Sequence, residues 1–264
     1  MRRRVSAAPG HPEITRIVAP NPGPMTLDGT NTYVVATHEG AYVIDPGPDD
    51  AAHLAAVRDG AGGEVAGVLL THGHSDHTAG VESFGEPVLW GVAVPTDEAS
   101  RIPAPAEPAA EHPESIGPFR LLPTPGHSAD HVCFVLGDVC FCGDLILGRG
   151  SSIVGPRAFG GSLADYMRSL DLLGGMDLAL LAPGHGPWIA DPQAKITEYR
   201  EHRLDRERRL VAALDGGERS RSALLARVWD DVPEPLRPAA AVAMQAHLEK
   251  LDEEGRLEGV ELVD

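Results

Sequence analysis

The sequence "THGHSDHTAG", residues 71–80, places three histidines and an aspartate within six positions. Imidazoles at this spacing repel one another when protonated, and their nitrogens cost free energy when they are buried without partners. A bound metal ion removes both difficulties. The apolar run "EVAGVLLTH" (64–72) leads directly into the cluster and predicts a buried strand that ends at the first histidine.

Three further residues of metal-binding type follow predicted strands. His127, Asp144 and His185 each come after an apolar run, and each lies beside a glycine or proline turn. Imidazole and carboxylate suit zinc, and also manganese or iron. Seven ligands are too many for one tetrahedral ion and are sufficient for two ions with open positions. The candidate metal ligands are His72, His74, Asp76, His77, His127, Asp144 and His185.

The first 192 residues read as an α/β domain. Short strands are predicted at "NTYVVAT" (31–37) and "AYVIDPG" (41–47), and helices at 49–59 and 162–173. Many strands with a few helices between them indicate sheets covered by helices. The six prolines within residues 95–118 predict an extended surface loop.

The pattern changes after Pro192, where we place a domain boundary that separates residues 1–192 from residues 193–264. A long charged helix ends at two glycines, and two shorter helical segments follow it. The last stretch, "EEGRLEGVELV", is interpreted as a wing. The second domain is therefore predicted to be a small helical module like a winged helix.

Composition limits the function classes. The formal net charge is −17, which argues against general binding to nucleic acids, double-stranded DNA included, or to anionic membranes. No apolar run approaches the ~20 residues that span a bilayer, and the basic start lacks the apolar segment of a secretory signal. Three cysteines in an apolar run predict reduced thiols. We expect a cytoplasmic protein.

The remaining histidines and cysteines receive ordinary interpretations. His38, His53 and His202 are predicted to be solvated at the surface, as is His112. His131 matches no ligand position and is predicted to be structural or to support a ligand. Cys140 and Cys142 lie two apart on a predicted strand, face the same side, and are interpreted as core residues.

The H-x-H-x-D-H cluster, with a later His, a later Asp and a last His, resembles the metallo-β-lactamase superfamily over about residues 20–190. The resemblance implies an αββα sandwich with metal ions between loops at one edge of the two sheets. It implies that one metal ion is held by His72, His74 and His127. It implies that the other is held by Asp76, His77 and His185, with Asp144 bridging both.

The resemblance also implies the chemistry. Two zinc ions, or manganese or iron in their place, lower the pKa of a bridging water so that hydroxide is available near neutral pH. Asp76 is the candidate catalytic residue, which ligates metal and orients the nucleophile or moves its proton. Asp45 matches the aspartate that braces the ligand loop in this family; the alternative is an Asx turn before Pro-Gly.

Two hydrolytic substrates compete. The stretches "NPGPMTLDGTNTYVV" (21–35), "GDLILGRGSS" (143–152) and "PGHGPWI" (183–189), with the C-terminal helices, resemble the lactamase-β-like endoribonucleases. That branch implies phosphodiester hydrolysis in single-stranded RNA. Fungal polyketide thioesterases share "GTNTY", and Asp144 is also typical of glyoxalase II, so hydrolysis of a small acyl thioester is the alternative. Persulfide dioxygenases, with one iron, are a third class on this scaffold; they are typically shorter and lack the C-terminal module.

Charge bears on this choice. Residues 193–264 have a net charge of −4 and residues 1–192 one of −13. The best basic cluster, "EYREHRLDRERRL", interleaves acids with arginines and is interpreted as a solvated helix with ion pairs. Candidate phosphate contacts are Arg149 and Arg157. A winged helix usually suggests DNA, but the acidic balance favours a lid or a homodimer surface, and it weakens the RNA hypothesis.

Overall fold

Among the described residues, the first sheet contains six strands that pair in chain order. This computed structural model describes residues 5–84, 88–90 and 114–264. The strands are β1 (Val5–Ala8), β2 (His11–Val18), β3 (Asn31–Thr37), β4 (Gly40–Ile44), β5 (Val65–Leu69) and β6 (Val88–Trp90). Strands β1 to β4 are antiparallel, whereas β5 and β6 continue parallel to β4. The carboxyl ends of β4 and β5 therefore meet at one edge of the sheet.

The second sheet has the strand order β11-β10-β9-β8-β7. Its strands are β7 (Ser115–Ile116), β8 (Phe119–Pro123), β9 (Val132–Leu136), β10 (Val139–Gly143) and β11 (Leu180–Pro183). Strands β7 to β10 form an antiparallel meander, and β11 lies parallel to β10. The parallel pair places the residues that follow β10 and β11 side by side.

A hydrophobic core lies between the two sheets because side chains alternate along each strand. In β3, Tyr33 and Val35 join a cluster with second-sheet residues such as Phe141, whereas Val34 faces the opposite way. The rings of Tyr33 and Phe141 meet edge to face, with their centroids 5.3 Å apart. Each such large buried side chain stabilises the fold by about 1.5–3 kcal/mol.

A helix covers the outer face of the first sheet. Helix α1 (Ala51–Ala61) begins where the Asp50 side chain accepts a hydrogen bond from the His53 backbone, and it ends at Gly62 in the left-handed conformation. These are common start and stop signals of a helix. Its Leu54 and Val57 pack with the outward-facing residues of β3, β4 and β5.

The chain divides into two compact units. The first comprises residues 1–124, 130–152 and 176–192, with both sheets, α1 and the short helices α2 (Ser75–Thr78) and α3 (Val81–Phe84). The second comprises residues 125–129, 153–175 and 193–264. Its helices are α4 (Leu163–Gly174), α5 (Pro192–Asp215), α6 (Arg221–Val228) and α7 (Arg237–Glu253). The domain boundary near residue 192 stays a prediction. No helix in the described part of the chain is long and apolar enough to cross a membrane.

The second unit has its own hydrophobic core. Leu224 and Val228 of α6 pack with Met244, Leu248 and Leu251 of α7, as the helical spacing predicts. The segment interpreted as a wing contains turns, and a single parallel bridge joins Ser220 to Val263.

Several sequence-based expectations need correction. Strands β1 and β2 were not expected. Within the predicted loop 95–118, residues 95–113 lie outside the described residues, and residues 115–116 form β7. The helix "EYREHRLDRERRL" is not solvated throughout, since Arg203 and Arg206 are buried.

Arg203 lies over the Tyr166 ring, and Arg206 donates to the Val228 carbonyl and to Asp231. Guanidinium groups stack readily on aromatic rings, so these two arginines contribute to the core of the second unit.

Candidate metal centre

The candidate site lies at the edge of the first unit where β4, β5, β10 and β11 end. Asp45, Asp144 and His185 follow β4, β10 and β11, and the ligand loop follows β5. The one-turn helix α2 begins after His74, so that Asp76 and His77 lie within a single helical turn. Six of the seven predicted ligands come together at this edge.

Asp45 ties the ligand loop to the sheet. It is buried and has a φ of 50°, in the left-handed region. Its Oδ1 accepts from the Thr71 backbone N–H at 2.8 Å, and its Oδ2 accepts from Thr71 Oγ1 at 2.7 Å and from His77 Nδ1 at 2.9 Å. One carboxylate thus orients both the start of the loop and a candidate ligand, which is more than an Asx turn requires.

The hydrogen bonds of Thr71 also fix the tautomer of His72. The single hydroxyl proton of Thr71 goes to Asp45, so the contact of 3.0 Å between Thr71 Oγ1 and His72 Nδ1 must be donated by His72. His72 Nε2 is therefore unprotonated, and it lies 2.9 Å from His74 Nδ1. These two atoms, together with a carboxylate oxygen of Asp144, lie within 4.8 Å of one another.

Asp76, His77 and His185 form a second group of donor atoms. Nδ1 of His77 donates to Asp45, and Nδ1 of His185 donates to the Gly29 carbonyl at 3.3 Å, so Nε2 is the nitrogen of each ring that is left to face a metal ion. The two Nε2 atoms are 3.4 Å apart. Asp76 Oδ2 lies 3.2 Å from His185 Nε2 and 3.5 Å from His77 Nε2.

Asp144 belongs to both groups. Its Oδ2 lies 3.3 Å from His185 Nε2, and its Oδ1 lies 3.6 Å from His77 Nε2. Its backbone carbonyl accepts from Ser152 Oγ at 2.6 Å, which holds the loop after β10. Gly184 makes the close approach to β11 feasible, because a Cβ there would lie 2.3 Å from Asp144 Oδ1.

These donor distances fit a metal ion. A tetrahedral zinc ion with bonds of about 2.0–2.1 Å separates neighbouring ligand atoms by about 3.4 Å. The distances in the second group are 3.2–3.6 Å. Carboxylates that converge at this range repel one another unless positive charge, from a metal ion or from protonated imidazoles, lies between them. The clusters and the fold therefore imply divalent metal ions.

His127 lies in segment 125–129, which belongs to the second unit. Its Nδ1 donates to the Ile153 carbonyl at 2.8 Å, so Nε2 is the nitrogen that is left to face a metal ion. Its role as a ligand stays a prediction.

The two arginines predicted to contact substrate lie close to carboxylates of the same chain. Arg149 Nη2 lies 3.6 Å from Asp28 Oδ2, and Arg157 Nε lies 2.7 Å from Glu253 Oε1. Arg157 Nη1 also lies 3.4 Å from Asp165 Oδ2. Their contact with a phosphate stays a prediction.

Among the other histidines, His38 is exposed as predicted. His53 is not a surface residue: it is buried, and its Nε2 lies 2.8 Å from Thr32 Oγ1. His202 is half-buried, and burial lowers its pKa to about 4. His131 is buried against Thr124, and the three cysteines are free and buried, as the sequence predicts.

The carboxylates of the site favour the protonated, positively charged forms of the two histidines in the second group. Burial lowers the pKa of His77, but the carboxylates of Asp144, Asp45 and Asp76 raise it to about 9. Burial lowers the pKa of His185 as well, and Asp144 and Asp76 raise it to about 10. Burial raises the pKa of Asp76, whereas His185 and His77 lower it to about 2.

We expect metal binding to release protons. With pKa values of about 9 and 10, each ring favours a second proton, on Nε2, at pH 7 in the metal-free protein, and a metal ion must displace it. Release should lie between one and two protons per chain, because two imidazolium rings this close repel each other. Calorimetric zinc titrations in buffers of different ionisation enthalpy measure the number.

The sign of the pH dependence follows. Zinc affinity should rise by about tenfold or more per pH unit between pH 6 and 8. His38→Ala should leave the slope unchanged. A pH-independent affinity would contradict the assignment of His77 and His185 as ligands.

Supporting residues were missed by sequence reasoning. Thr71, Thr30 and Asn31 are buried and hydrogen-bond around the site, and Asn31 Nδ2 donates to the carbonyls of Pro183 and Gly186 at 2.8 and 2.9 Å. Threonine and asparagine are common in loops, so type alone gives no signal. The adjacency of Thr71 to the first histidine is the one clue that the sequence holds.

Comparison with known proteins is consistent with this geometry. The profile of the metallo-beta-lactamase superfamily matches residues 25–185, and that of the beta-lactamase associated winged helix domain matches residues 220–261. A beta-lactamase-like protein 2 homolog of Caenorhabditis elegans is 31% identical over 93% of this chain and 86% of the relative. An atrochrysone carboxyl ACP thioesterase of Aspergillus chevalieri is 35% identical over 77% of this chain and 66% of the relative.

A solved structure shows the same architecture. The crystal structure of a metallo-beta-lactamase family protein from Thermus thermophilus superposes with a TM-score of 0.71 and 25% identity, over 92% of this chain and 94% of that one. The predicted sandwich of two sheets flanked by helices, followed by a winged helix domain, is confirmed. The chain belongs to the metallo-β-lactamase superfamily of hydrolytic enzymes.

Proposed function

We propose that this protein is a dinuclear zinc hydrolase of acyl thioesters. The observation that carries the dinuclear assignment is Asp144, whose carboxylate lies within reach of both donor groups. His72 and His74, with His127, would hold one ion. Asp76, His77 and His185 would hold the other, and manganese or iron can replace zinc in such a donor set.

When bound, two such ions lower the pKa of a water molecule and polarise the carbonyl of the substrate. The residues of the chain supply orientation. Asp45 fixes the orientation of the His77 ring by accepting from His77 Nδ1, and Thr71 fixes the orientation of the His72 ring by accepting from His72 Nδ1. Asp76, whose Oδ2 lies 3.2 Å from His185 Nε2, would orient the attacking water or move its proton.

Electrostatics support an acyl substrate over RNA. RNA binding needs basic surface, whereas the net charge of this chain is −17. Two arginines of the basic helix are buried, and Arg157 is paired with Glu253. The thioesterase relative from Aspergillus chevalieri, whose name gives an acyl carrier protein substrate, supports the same choice.

Single-stranded RNA is the second candidate, because the C-terminal helices match a winged helix domain. The stretch 21–35 also resembles the endoribonuclease branch. An acidic winged helix is more consistent with a lid or a homodimer contact than with nucleic acid, so we rank this candidate second.

The test is a side-by-side assay of one zinc-loaded preparation. We expect chelator-sensitive turnover of short-chain acyl thioesters with loss of turnover in Asp144→Asn, and no cleavage of a labelled single-stranded RNA. RNA cleavage that is lost in Asp144→Asn, with intact thioesters, would select the second candidate. Thiol-dependent oxygen uptake with one iron per chain would overturn the hydrolase proposal.

A further inference from the structure

Thr30 is fully buried beside the candidate site, directly before β3. Its Oγ1 lies 3.0 Å from Asp76 Oδ2 and 2.9 Å from Asn21 Nδ2. Its backbone N–H lies 2.9 Å from Asn21 Oδ1. The Asn21 amide therefore contacts Thr30 twice, and Thr30 in turn contacts a candidate metal ligand.

These contacts fix the direction of the hydrogen bonds. The Thr30 backbone N–H can only donate, so the Asn21 atom that it meets is the amide oxygen. The amide nitrogen of Asn21 then faces Thr30 Oγ1 and donates to it. The one hydroxyl proton of Thr30 is then available for Asp76 Oδ2, which accepts it as an unprotonated carboxylate oxygen.

The same stretch of backbone also contacts the second histidine of this group. Gly29, the residue before Thr30, accepts from His185 Nδ1 through its carbonyl, and Thr30 forms an isolated antiparallel bridge with His185. Gly29 has a φ of 132°, and a Cβ there would lie 2.0 Å from the Ala19 carbonyl oxygen. Two of the three donors in the second group are thus held by residues 29 and 30.

We propose that Thr30, directed by Asn21, is a positioning residue for the metal ion held by Asp76, His77 and His185. Its hydroxyl fixes the rotation of the Asp76 carboxylate, and so sets which lone pairs face the ion. The inference rests on the proposed dinuclear function. A buried hydroxyl also needs partners for stability alone, so the test must separate metal geometry from folding.

Three variants separate these roles. Thr30→Val keeps the branched shape and removes the hydroxyl, whereas Thr30→Ser keeps the hydroxyl and removes a methyl group. Asn21→Ala leaves Thr30 intact and removes the donor that directs its proton. Thr37→Val is the matched control, because its hydroxyl donates to the Gly40 carbonyl at the far end of β3.

The measurement is a Co²⁺ titration of metal-free protein, followed by visible absorption, with thermal unfolding of the same metal-free samples. We expect Thr30→Val to lower the affinity for one of the Co²⁺ ions at least tenfold and to alter the visible absorption band of that ion. The Co²⁺ affinity of Thr30→Ser should remain within about threefold of the wild-type affinity. The Co²⁺ affinity of Asn21→Ala should be at least threefold lower than that of the wild type. Thr37→Val should match the wild type.

Two results would overturn the inference. One is a Thr30→Val protein with wild-type Co²⁺ affinities and spectrum, whatever its unfolding temperature. The other, if Thr30→Val does not fold, is an Asn21→Ala protein with unchanged Co²⁺ binding. The wild-type stoichiometry tests the dinuclear function separately: one Co²⁺ per chain that weakens in Thr30→Val would refute two metal ions and retain the role of Thr30.

Discussion

Replacing His74 with alanine is expected to lower kcat/KM by on the order of 10³-fold or more and to remove metal from the protein. His74 is exposed and begins the short helix α2 without a side-chain capping bond. Its imidazole meets the His72 ring edge to face, and its loss removes a donor that lies 2.9 Å from His72 Nε2. Metal content by mass spectrometry and steady-state kinetics on an acyl thioester check this prediction.

The matched control is His38→Ala, since His38 is an exposed histidine in the turn between β3 and β4, where its Nε2 lies 3.7 Å from Glu39 Oε1. It should keep full activity and full metal content. Both variants should unfold within about 0.5 kcal/mol of the wild type in the metal-free state, as surface substitutions usually do. An active, fully metallated His74→Ala protein would show that the site has been assigned wrongly.

Asp45→Asn should affect stability and metal binding together. The carboxylate accepts three hydrogen bonds, from two atoms of Thr71 and from His77 Nδ1. Asparagine has a single acceptor oxygen and tolerates positive φ, so the backbone is kept while at least one buried donor loses its partner. We expect a loss of about 1–3 kcal/mol in the free energy of unfolding.

The same substitution should weaken metal binding by about 10–100-fold, because the amide cannot hold His77 as the carboxylate does. Urea unfolding of the metal-free protein measures the first effect, and chelator competition measures the second. Asp49→Asn is the control, as Asp49 is exposed two residues before α1. An Asp45→Asn protein with normal stability and affinity would support the alternative of a simple Asx turn.

Much of the site could be read from the sequence because ligands follow strands. The apolar run before His72 and the apolar runs before Asp144 and His185 each form a strand of the two sheets. Parallel pairing brings the ends of β4 and β5, and of β10 and β11, to shared edges. Strand ends and residue types were sufficient to predict six side chains that lie together.

Other features depend on tertiary contacts that the sequence does not show. In strand β2, apolar and polar residues do not alternate regularly, and only Ile14 and Ile17 are buried. Its sequence therefore resembles an irregular N-terminal segment more than a strand. His53 was predicted at the surface because nothing local indicates its partner, Thr32, which lies in another element. Arg203 and Arg206 lie in a charged run that predicts a solvated helix face. In the core, however, Arg203 lies over an aromatic ring and Arg206 donates to a backbone carbonyl.

The supporting network was missed for a related reason. Thr30 contacts Asp76 across 46 positions of sequence, and only the fold brings the two together. The direction in which the Thr30 hydroxyl donates depends on Asn21, and asparagine is a common residue type in loops. Direction of hydrogen bonding is a property of the assembled contacts, so no local pattern predicts it.

We propose that two zinc ions lie at the strand ends and that Asp144 is a ligand of both. The most direct test is the metal content per chain of the purified protein, measured by mass spectrometry for the wild type and for Asp144→Asn. We expect two zinc ions per chain in the wild type and fewer than one in the variant. A single iron per chain in the wild type, or two zinc ions in Asp144→Asn, would contradict it.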